Sequence, residues 1–185
     1  TEMSRGFKPN IDQVLVTPGA NIAIFYAISC IVNPGEEIIV PDPGFPTYYS
    51  TIKMCNAKAV HVPLLESNKF RMNPKDIENS ITEKTRMIII NSPQNPTGSV
   101  MTEEEIRITY EIAKKHDLYL YSDEIYARMV YKDSVFNSPS IYDKCQERTI
   151  ISNGFSKAFA MTGWRLGAII GPSNVVEKMK LLLET

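Results

Sequence analysis

Short apolar runs recur along the chain, and most of them alternate with longer segments whose apolar positions have the spacing of a helix. The run 86–91 contains Met87 and three consecutive isoleucines and shows no polar alternation. That pattern is typical of a strand covered on both faces, as in a parallel sheet. Strands that alternate with helices predict an α/β fold, a three-layer α-β-α sandwich around a mostly parallel sheet of about seven strands. The predicted strands are 14–17, 37–40, 57–63, 86–91, 118–122, 149–152 and 166–170.

Start signals mark several of the predicted helices. Asn73 and Pro74 have the order of an N-cap followed by a first helical residue. Thr102 and Glu105 have the spacing of a capping box, in which each side chain binds the other residue's backbone N–H. The predicted helices are 22–32, 47–56, a short one from Pro74, one that Thr102 opens and that runs to Lys115, and 174–185.

The two ends of the chain lack the usual boundary signals. Segment 1–7 begins without a methionine, and the amphipathic segment 174–185 stops without a Gly, Asn or Pro cap. We therefore expect the chain to be part of a longer polypeptide.

Composition and charge argue against several classes of protein. The 185 residues have a net charge of −1 at pH 7, which disfavours a nucleic acid or a membrane surface as partner. No apolar run is long enough to span a bilayer, and no signal-peptide pattern is seen. Cys30, Cys55 and Cys145 are far apart, lack metal-ligand spacing and fit reduced thiols of a cytoplasmic protein. His61 and His116 are isolated, so structural roles are expected for both and no metal site is predicted.

Residues suited to ligand binding follow the carboxyl ends of the predicted strands. They are Gly19, Phe45, Asn95, Asp123 and Lys157. In open α/β sheets ligands bind at this edge, and the loops there carry the chemistry. The convergence predicts one site and outweighs the alternative that each residue is an ordinary turn or surface residue.

The loop after strand 149–152 holds two residue types with specific chemistry. A lysine such as Lys157 can act as a Schiff-base nucleophile if its ammonium is desolvated or lies beside another cation. Arg165, eight positions later, is suited to a phosphate because its planar guanidinium donates two parallel hydrogen bonds. Taken alone, the pair could equally be a surface lysine and an arginine at the edge of the core.

Two turns allow both a ligand-binding and a structural interpretation. The turn 18–21 opens helix 22–32, whose first N–H groups could bind an anion. It has neither a Walker sequence nor a GxGxxG motif, so a plain strand–turn–helix remains an alternative. Phe45 is displayed by the proline-braced segment 41–46 and could stack on a flat ligand or act as a hydrophobic staple.

Three motifs together resemble one known family. They are SPQNPTG at 92–98, SDEIY at 122–126, and SKAF at 156–159 followed by GWR at 163–165. In this order and spacing they resemble the class I/II aminotransferases, pyridoxal-phosphate enzymes of fold type I that are similar to aspartate aminotransferase. The resemblance runs from about Asp12 to the end of the chain. It implies that 1–185 is the large, cofactor-binding domain, with 166–170 as its one antiparallel strand and with a small domain and an N-terminal arm outside this chain.

The resemblance also implies roles for residues around the cofactor ring. Lys157 would form a Schiff base with pyridoxal 5′-phosphate and later move a proton between the substrate α-carbon and the cofactor C4′. Asp123 would pair with the pyridine nitrogen and keep it protonated. Asn95 and Tyr126 would hydrogen-bond the ring O3′, and Phe45 would lie against the ring face. Lys157, Asp123 and Tyr126 are therefore the predicted catalytic residues.

A second group of residues would hold the cofactor phosphate. The resemblance implies that Gly19, Ala20 and Asn21 surround it at the start of the following helix. Their N–H donors would begin at Gly19, since the preceding proline has no N–H. Ser156 and a bidentate Arg165 would complete the phosphate site.

Two other residues of these motifs are predicted to be structural. Glu124 should point to the side opposite Asp123 as a structural acid. Trp164 should belong to the core rather than contact the cofactor.

The implied function is amino-group transfer between an amino acid and a 2-oxo acid, by a homodimer. The arginine that binds the substrate α-carboxylate in this family is expected outside the chain. Segment 161–165 looks more like the aminotransferase branch than like a carbon–sulfur β-lyase of the same fold, which remains the alternative enzyme. A truncated fragment that keeps the fold without catalysis is the non-enzymatic alternative.

Overall fold

The apolar runs of the sequence become the strands of one sheet in the computed structural model, which describes residues 2–131 and 133–184. Their order across the sheet is β1-β7-β6-β5-β4-β2-β3. β7 is antiparallel to both neighbours, and the other neighbouring pairs are parallel. The predicted mostly parallel sheet is confirmed, together with its antiparallel strand at 166–170. The strands are β1 (Val14–Thr17), β2 (Glu37–Asp42), β3 (Lys58–Pro63), β4 (Thr85–Asn91), β5 (Tyr119–Asp123), β6 (Thr149–Gly154) and β7 (Gly167–Ile170).

Helices cover both faces of this sheet. They are α1 (Glu2–Arg5), α2 (Asn21–Ile31), α3 (Pro46–Met54), α4 (Pro74–Asn79), α5 (Glu103–Lys115), α6 (Ser140–Asp143) and α7 (Ser173–Leu183). One core joins α2, α3 and α7 to side chains that include Met87 and Ile89, whereas α4 and α5 pack with Ile88 and Ile90. β4 is thus buried on both faces, as its unbroken apolar run predicts. The three-layer α-β-α arrangement is confirmed.

Helix boundaries follow the start signals and differ from the predicted ones by one or two residues. Thr102 and Glu105 form the reciprocal capping box that opens α5. The Asn73 side chain caps the first turn of α4. The last predicted helix is observed as Ser173–Leu183, and Thr185 lies outside the described residues.

Register across the sheet brings several strand ends to one edge. Asn91 of β4 pairs with Asp123 of β5, and Asp123 pairs with Ser152 of β6. Because these strands are parallel, the loops that follow them leave the sheet on the same side. Those loops carry most of the predicted site residues.

Three further properties concern the described ranges as a whole. No helix within 2–131 and 133–184 is long and apolar enough to cross a membrane. The same residues bring no three His, Cys, Asp or Glu side chains together as a metal site would require. The three cysteines are free thiols.

Candidate active site

A cavity of about 250 Å³ lies at the carboxyl edge of the sheet. Nine of the ten predicted site residues line it, and Gly19 lies against Arg165, which is one of the nine. The predicted residues in its wall are Ala20, Asn21, Phe45, Asn95, Asp123, Tyr126, Ser156, Lys157 and Arg165. The fold thus collects side chains from widely separated parts of the chain.

Asp123 is the last residue of β5, and its carboxylate is buried in the cavity wall. The Tyr48 hydroxyl donates a hydrogen bond to Oδ2 over 2.7 Å, and the Ile125 N–H donates to Oδ1 over 3.3 Å. No cation among the described residues pairs with this carboxylate. Burial raises the pKa of Asp123 above its ordinary value, and the two hydrogen bonds offset part of that rise. A carboxylate in this setting is suited to a ligand N–H that carries positive charge.

Tyr48 is fully buried where α3 meets the sheet, so its hydroxyl needs a partner inside the protein. Burial and the nearby Asp123 carboxylate raise the pKa of Tyr48 well above its ordinary value. The phenol therefore stays protonated and acts as the hydrogen-bond donor to Asp123. The Tyr48 ring also packs edge-on against Phe45, with ring centroids 5.7 Å apart. One residue therefore supports both the buried carboxylate and the aromatic wall of the cavity.

A network of amides fixes the loop that carries Asn95. Asn91 Nδ2 donates to the Asp123 carbonyl over 3.0 Å, and Asn91 Oδ1 accepts from the Asn95 N–H over 2.8 Å. Gln94 Nε2 donates to the Pro43 carbonyl over 2.8 Å, which ties this loop to the one after β2. The half-buried Asn95 side chain is held in the cavity wall as a result.

The loop after β6 places Lys157 in the cavity wall with its side chain accessible to solvent. Phe155 and Phe159 pack together on this loop with centroids 5.3 Å apart, and the Arg128 guanidinium lies 5.1 Å from the Phe159 centroid. Arg128 follows shortly after Tyr126 in the sequence. The contact therefore joins the loop of Lys157 to the turn of Tyr126.

Gly19 makes room for the Arg165 side chain. Its φ of +89° lies in the region that favours glycine, and a Cβ built there would come within 2.4 Å of Arg165 Nη2. Arg165 Nη1 also donates to the Thr162 carbonyl over 3.1 Å. Any side chain at position 19 would therefore have to displace the guanidinium.

The turn before α2 differs from the sequence prediction in one respect. The Gly19 N–H donates to the Thr17 carbonyl over 2.8 Å, whereas the sequence predicts that this N–H donates to the phosphate. Ala20 and Asn21, at the start of α2, lie in the cavity wall, and the first N–H groups of a helix lack partners within it. Ala20 and Asn21 therefore present backbone N–H groups suited to an anion.

Comparison with known proteins places the chain in a family. The family model described as "Aminotransferase class I and II" matches residues 6–185. This chain belongs to the class I and II aminotransferases. It is 43% identical over 167 residues to an aspartate aminotransferase of Pyrococcus abyssi, a match that covers 90% of this chain and 43% of that protein. It is 44% identical over 168 residues to aromatic-amino-acid aminotransferase 2 of Thermococcus litoralis, with 90% of this chain and 43% of that one covered.

Solved aminotransferase structures have the same fold. The aspartate aminotransferase of Thermus thermophilus with maleate superposes with a TM-score of 0.93 at 34% identity, over 98% of this chain and 47% of that one. The N-succinyldiaminopimelate aminotransferase of Mycobacterium tuberculosis gives 0.92 at 32% identity, over 97% and 47%. The chain therefore spans less than half the length of each of these four relatives.

Enzymes of this family use pyridoxal phosphate, and three features of the chain fit that group. The buried Asp123 carboxylate has no cationic partner among the described residues, as a protonated pyridine nitrogen would require. Arg165 lies over a glycine whose missing Cβ makes room for the guanidinium, a cation suited to phosphate. Lys157 presents an amine to the same cavity.

Of the two predictions of a structural role, one is wrong and one is confirmed. Trp164 is 74% exposed, so the prediction of a core position is wrong. It lies in the short turn Thr162–Trp164 ahead of β7, where no helix or strand covers the indole. Glu124 is fully buried, does not line the cavity and binds other groups, so the prediction of a structural acid is confirmed.

Sequence reasoning missed Tyr48 and Asn91, which both bind Asp123. Tyr48 comes three positions after Phe45, a spacing that brings side chains together along a helix. Asn91 is the polar residue that closes the apolar run of β4, which was an available signal. The other missed wall residues, which carry no such signal, are Ile24, Ile125 and Thr162.

The Gly19→Ala substitution is expected to weaken pyridoxal phosphate binding about tenfold and to lower the free energy of unfolding by about 1–2 kcal/mol. The added Cβ strains a positive φ and displaces Arg165. Gly35→Ala is the matched control, because Gly35 has a φ of +83° and a Cβ added there would meet nothing within 4 Å. Equal dissociation constants for the two variants in a fluorescence titration would contradict a role for Gly19 in seating Arg165.

The Tyr48→Phe substitution is expected to lower the free energy of unfolding by about 1.5–3 kcal/mol near neutral pH. It removes the donor to a buried carboxylate and so raises the pKa of Asp123 further. The loss should shrink as pH falls, since a protonated Asp123 no longer needs that donor. Tyr49→Phe, which removes a hydroxyl that donates to the Pro41 carbonyl over 2.7 Å, should show a loss that changes little with pH. Urea unfolding at several pH values separates the two; parallel profiles would rule out the Asp123 effect.

Proposed function

We propose that residues 1–185 form the large, cofactor-binding domain of a pyridoxal-phosphate-dependent aminotransferase. The reaction would transfer an amino group between an amino acid and a 2-oxo acid. The observation that carries this proposal is the meeting of Lys157, the buried Asp123 and Arg165 around one cavity. Family membership and the similarity to named aminotransferases support the same activity.

Lys157 is proposed as the residue that holds the cofactor covalently and moves the proton. Pyridoxal phosphate, when bound, supplies an aldehyde carbon that condenses with amines and a ring that withdraws electrons from the α-carbon. The Lys157 amine would attach to that carbon and be released when the substrate amine takes its place. The freed Nζ would then take the proton from the substrate α-carbon and deliver it to the cofactor C4′.

Asp123 is proposed to hold the pyridine nitrogen in its protonated form. Its carboxylate is buried, and the hydrogen bond from Tyr48 helps to keep it ionised despite that burial. A negative charge fixed at this point favours the positive charge on the ring nitrogen, where electron withdrawal is needed. Asn95 and Tyr126 would hydrogen-bond the ring O3′, and Phe45 would cover one ring face.

The phosphate is proposed to bind between Arg165 and the start of α2. Arg165 offers a planar pair of N–H donors, and Ala20 and Asn21 lie at the helix start, where N–H groups and the helix dipole favour an anion. Ser156, in the same wall, would add a hydroxyl donor. Gly19 would contribute the space that Arg165 occupies rather than a donor of its own.

The activity is tested by the products that the intact protein forms. Amino-group transfer from aspartate or an aromatic amino acid to 2-oxoglutarate would support the proposal, because relatives of this chain are named for those substrates. Release of pyruvate and ammonia from cysteine or cystathionine, without transfer to a 2-oxo acid, would replace it by the lyase alternative. Cofactor binding with neither reaction in the intact protein would favour a non-catalytic fold.

A cytoplasmic homodimer completes the proposal. The free cysteines agree with a reducing compartment. An open, largely apolar groove between the start of α2 and helix α3 offers a surface for a second copy and includes Pro18, Ile22, Phe25 and Met54. Sedimentation of the intact protein as a dimer would support this assembly, and a monomer at all concentrations would exclude it.

A further inference from the structure

A buried ion pair lies behind the candidate active site, on the side of β5 away from the cavity. The Glu124 side chain is fully buried, and Arg5 donates to its Oε2 from Nε over 2.8 Å and also from Nη2. Ser122 Oγ donates to Oε1 over 3.2 Å, and Ser138 Oγ donates to the same oxygen. Three segments distant in sequence, namely α1, the end of β5 and the approach to α6, therefore meet at one carboxylate.

The backbone of Glu124 is held as firmly as its side chain. Its N–H donates to the Ser152 carbonyl of β6 over 2.9 Å, and its carbonyl accepts from the Ala127 N–H over 3.0 Å. The Met129 N–H donates to the Tyr126 carbonyl over 2.8 Å and continues the turn. Residues 123–129 thus form a hydrogen-bonded turn with Glu124 near its start.

Glu124 directly follows Asp123, and the two carboxylates serve different sides of the strand end. Successive side chains of a strand point to opposite faces, so a contact that fixes Glu124 also fixes the direction of Asp123. Tyr126 comes two residues later on the same turn. The position of both proposed cofactor contacts therefore depends on what holds Glu124.

A buried ion pair is poor evidence for added stability. Desolvation of the two charges cancels much of their attraction, and an apolar pair of similar volume often gives equal stability. In some proteins such pairs instead specify one packing arrangement among several. Arg5 and Glu124 are 119 residues apart in the sequence, so this pair can fix the position of α1 relative to the end of β5.

We propose that the Arg5–Glu124 pair is a positioning device, through which helix α1 sets the orientation of the Asp123–Tyr126 turn towards the cofactor ring. The inference rests on the proposed cofactor site. Arg5 and Glu124 touch no reacting atom and act through their neighbours. The Phe136 ring, 5.6 Å from the Arg5 guanidinium carbon, adds a second contact that holds Arg5 in place.

The first test uses backbone hydrogen exchange in the chain without cofactor. Arg5→Met should increase exchange at the amides of Ile125, Ala127 and Met129 about tenfold relative to amides in the centre of β4. Arg71→Met is the matched control, since Arg71 binds Glu105 of α5 through two contacts of 2.9 Å and is also largely buried. Equal exchange at the three amides in both variants would overturn the inference.

The second test separates positioning from stability. Arg5→Met should raise the dissociation constant for pyridoxal phosphate about tenfold, as loss of outer orienting contacts does at other sites, and Arg71→Met should leave it unchanged. In the double variant Arg5→Met, Glu124→Gln no buried charge is left unpaired, so unfolding stability should recover while the weak binding persists. The inference would be overturned if the double variant recovered both its unfolding stability and its affinity for pyridoxal phosphate. It would also be overturned if Arg71→Met weakened pyridoxal phosphate binding as much as Arg5→Met does, since either result would show a merely structural pair.

Two outcomes call for a further comparison. If Arg5→Met does not fold, Glu124→Gln provides the same comparisons, because it keeps the side-chain volume and an oxygen that accepts from Ser122 and Ser138. If the unaltered chain fails to bind pyridoxal phosphate, the proposed function fails, and the exchange data on the cofactor-free chain still decide whether the pair orders the turn.

Discussion

Replacing Lys157 by alanine is expected to lower amino-group transfer by about 10⁴-fold or more and to abolish covalent attachment of pyridoxal phosphate. Lys157 is the lysine that the described residues place in the cavity wall. No other amine of that wall could therefore take over both its nucleophilic and its proton-transfer role. Transfer to 2-oxoglutarate and absorbance of the bound cofactor measure the two effects in the intact protein.

Two variants show whether charge or amine chemistry matters at this position. Lys157→Arg keeps a positive charge, but a guanidinium neither condenses with an aldehyde nor releases a proton near neutral pH, so it should be as inactive as Lys157→Ala. Lys114→Ala removes an exposed lysine on α5 and should change neither activity nor cofactor attachment. An active Lys157→Ala variant with a normal cofactor spectrum would disprove the assigned role.

Replacing Asp123 by asparagine is expected to lower kcat by about 10³-fold, in the range that loss of one preorganised electrostatic contact costs. The amide can still accept the hydrogen bond from Tyr48, so the surroundings are little disturbed. It has no charge with which to keep the pyridine nitrogen protonated, so electron withdrawal by the ring weakens. Single-turnover kinetics with saturating cofactor isolate this effect from weaker binding.

The same substitution should stabilise the chain without cofactor, in a pH-dependent way. The pKa of Asp123 is raised in the folded chain, so the folded state holds the proton more tightly than the unfolded state. Stability therefore falls as pH rises from the ordinary carboxyl range through the raised pKa, and Asp123→Asn lacks this fall. The variant should gain about 1–3 kcal/mol near pH 7, and the gain should vanish below about pH 4.

Asp42→Asn is the control for both effects. Asp42 also ends a strand of the same sheet, but its side chain is 56% exposed, so neither a loss of kcat nor a pH-dependent gain is expected. The role of Asp123 as a buried carboxylate that pairs with a ligand cation would be contradicted by two results. One is a lower stability of Asp123→Asn than of the unaltered chain at neutral pH, and the other is the same dependence of unfolding stability on pH in both variants.

The sheet and most of the cavity wall could be predicted because their signals are local. The unbroken apolar run of β4 indicated burial on both faces, and Met87 and Ile88 do pack into different cores. Strand ends are also local features, and parallel strands bring their ends together whatever the loops contain. Asp123 and Lys157 were placed at one edge on that basis.

What could not be predicted depends on side-chain direction and on long-range packing. The bond from Tyr48 to Asp123 joins residues 75 positions apart, and the approach of α3 to the sheet decides whether it forms. Arg5 reaches Glu124 across 119 positions for the same reason. Trp164 was predicted to lie in the core, but a short turn outside the layers leaves its ring exposed. Its position follows from the path of the loop, which composition does not specify.

The most direct test of the central claim is borohydride reduction of the protein with pyridoxal phosphate, followed by peptide mass mapping. We expect the pyridoxyl group to be found on Lys157 and to be lost in Lys157→Ala. An adduct on another lysine, or none on a chain that circular dichroism shows to be folded and that has been saturated with the cofactor, would contradict the claim.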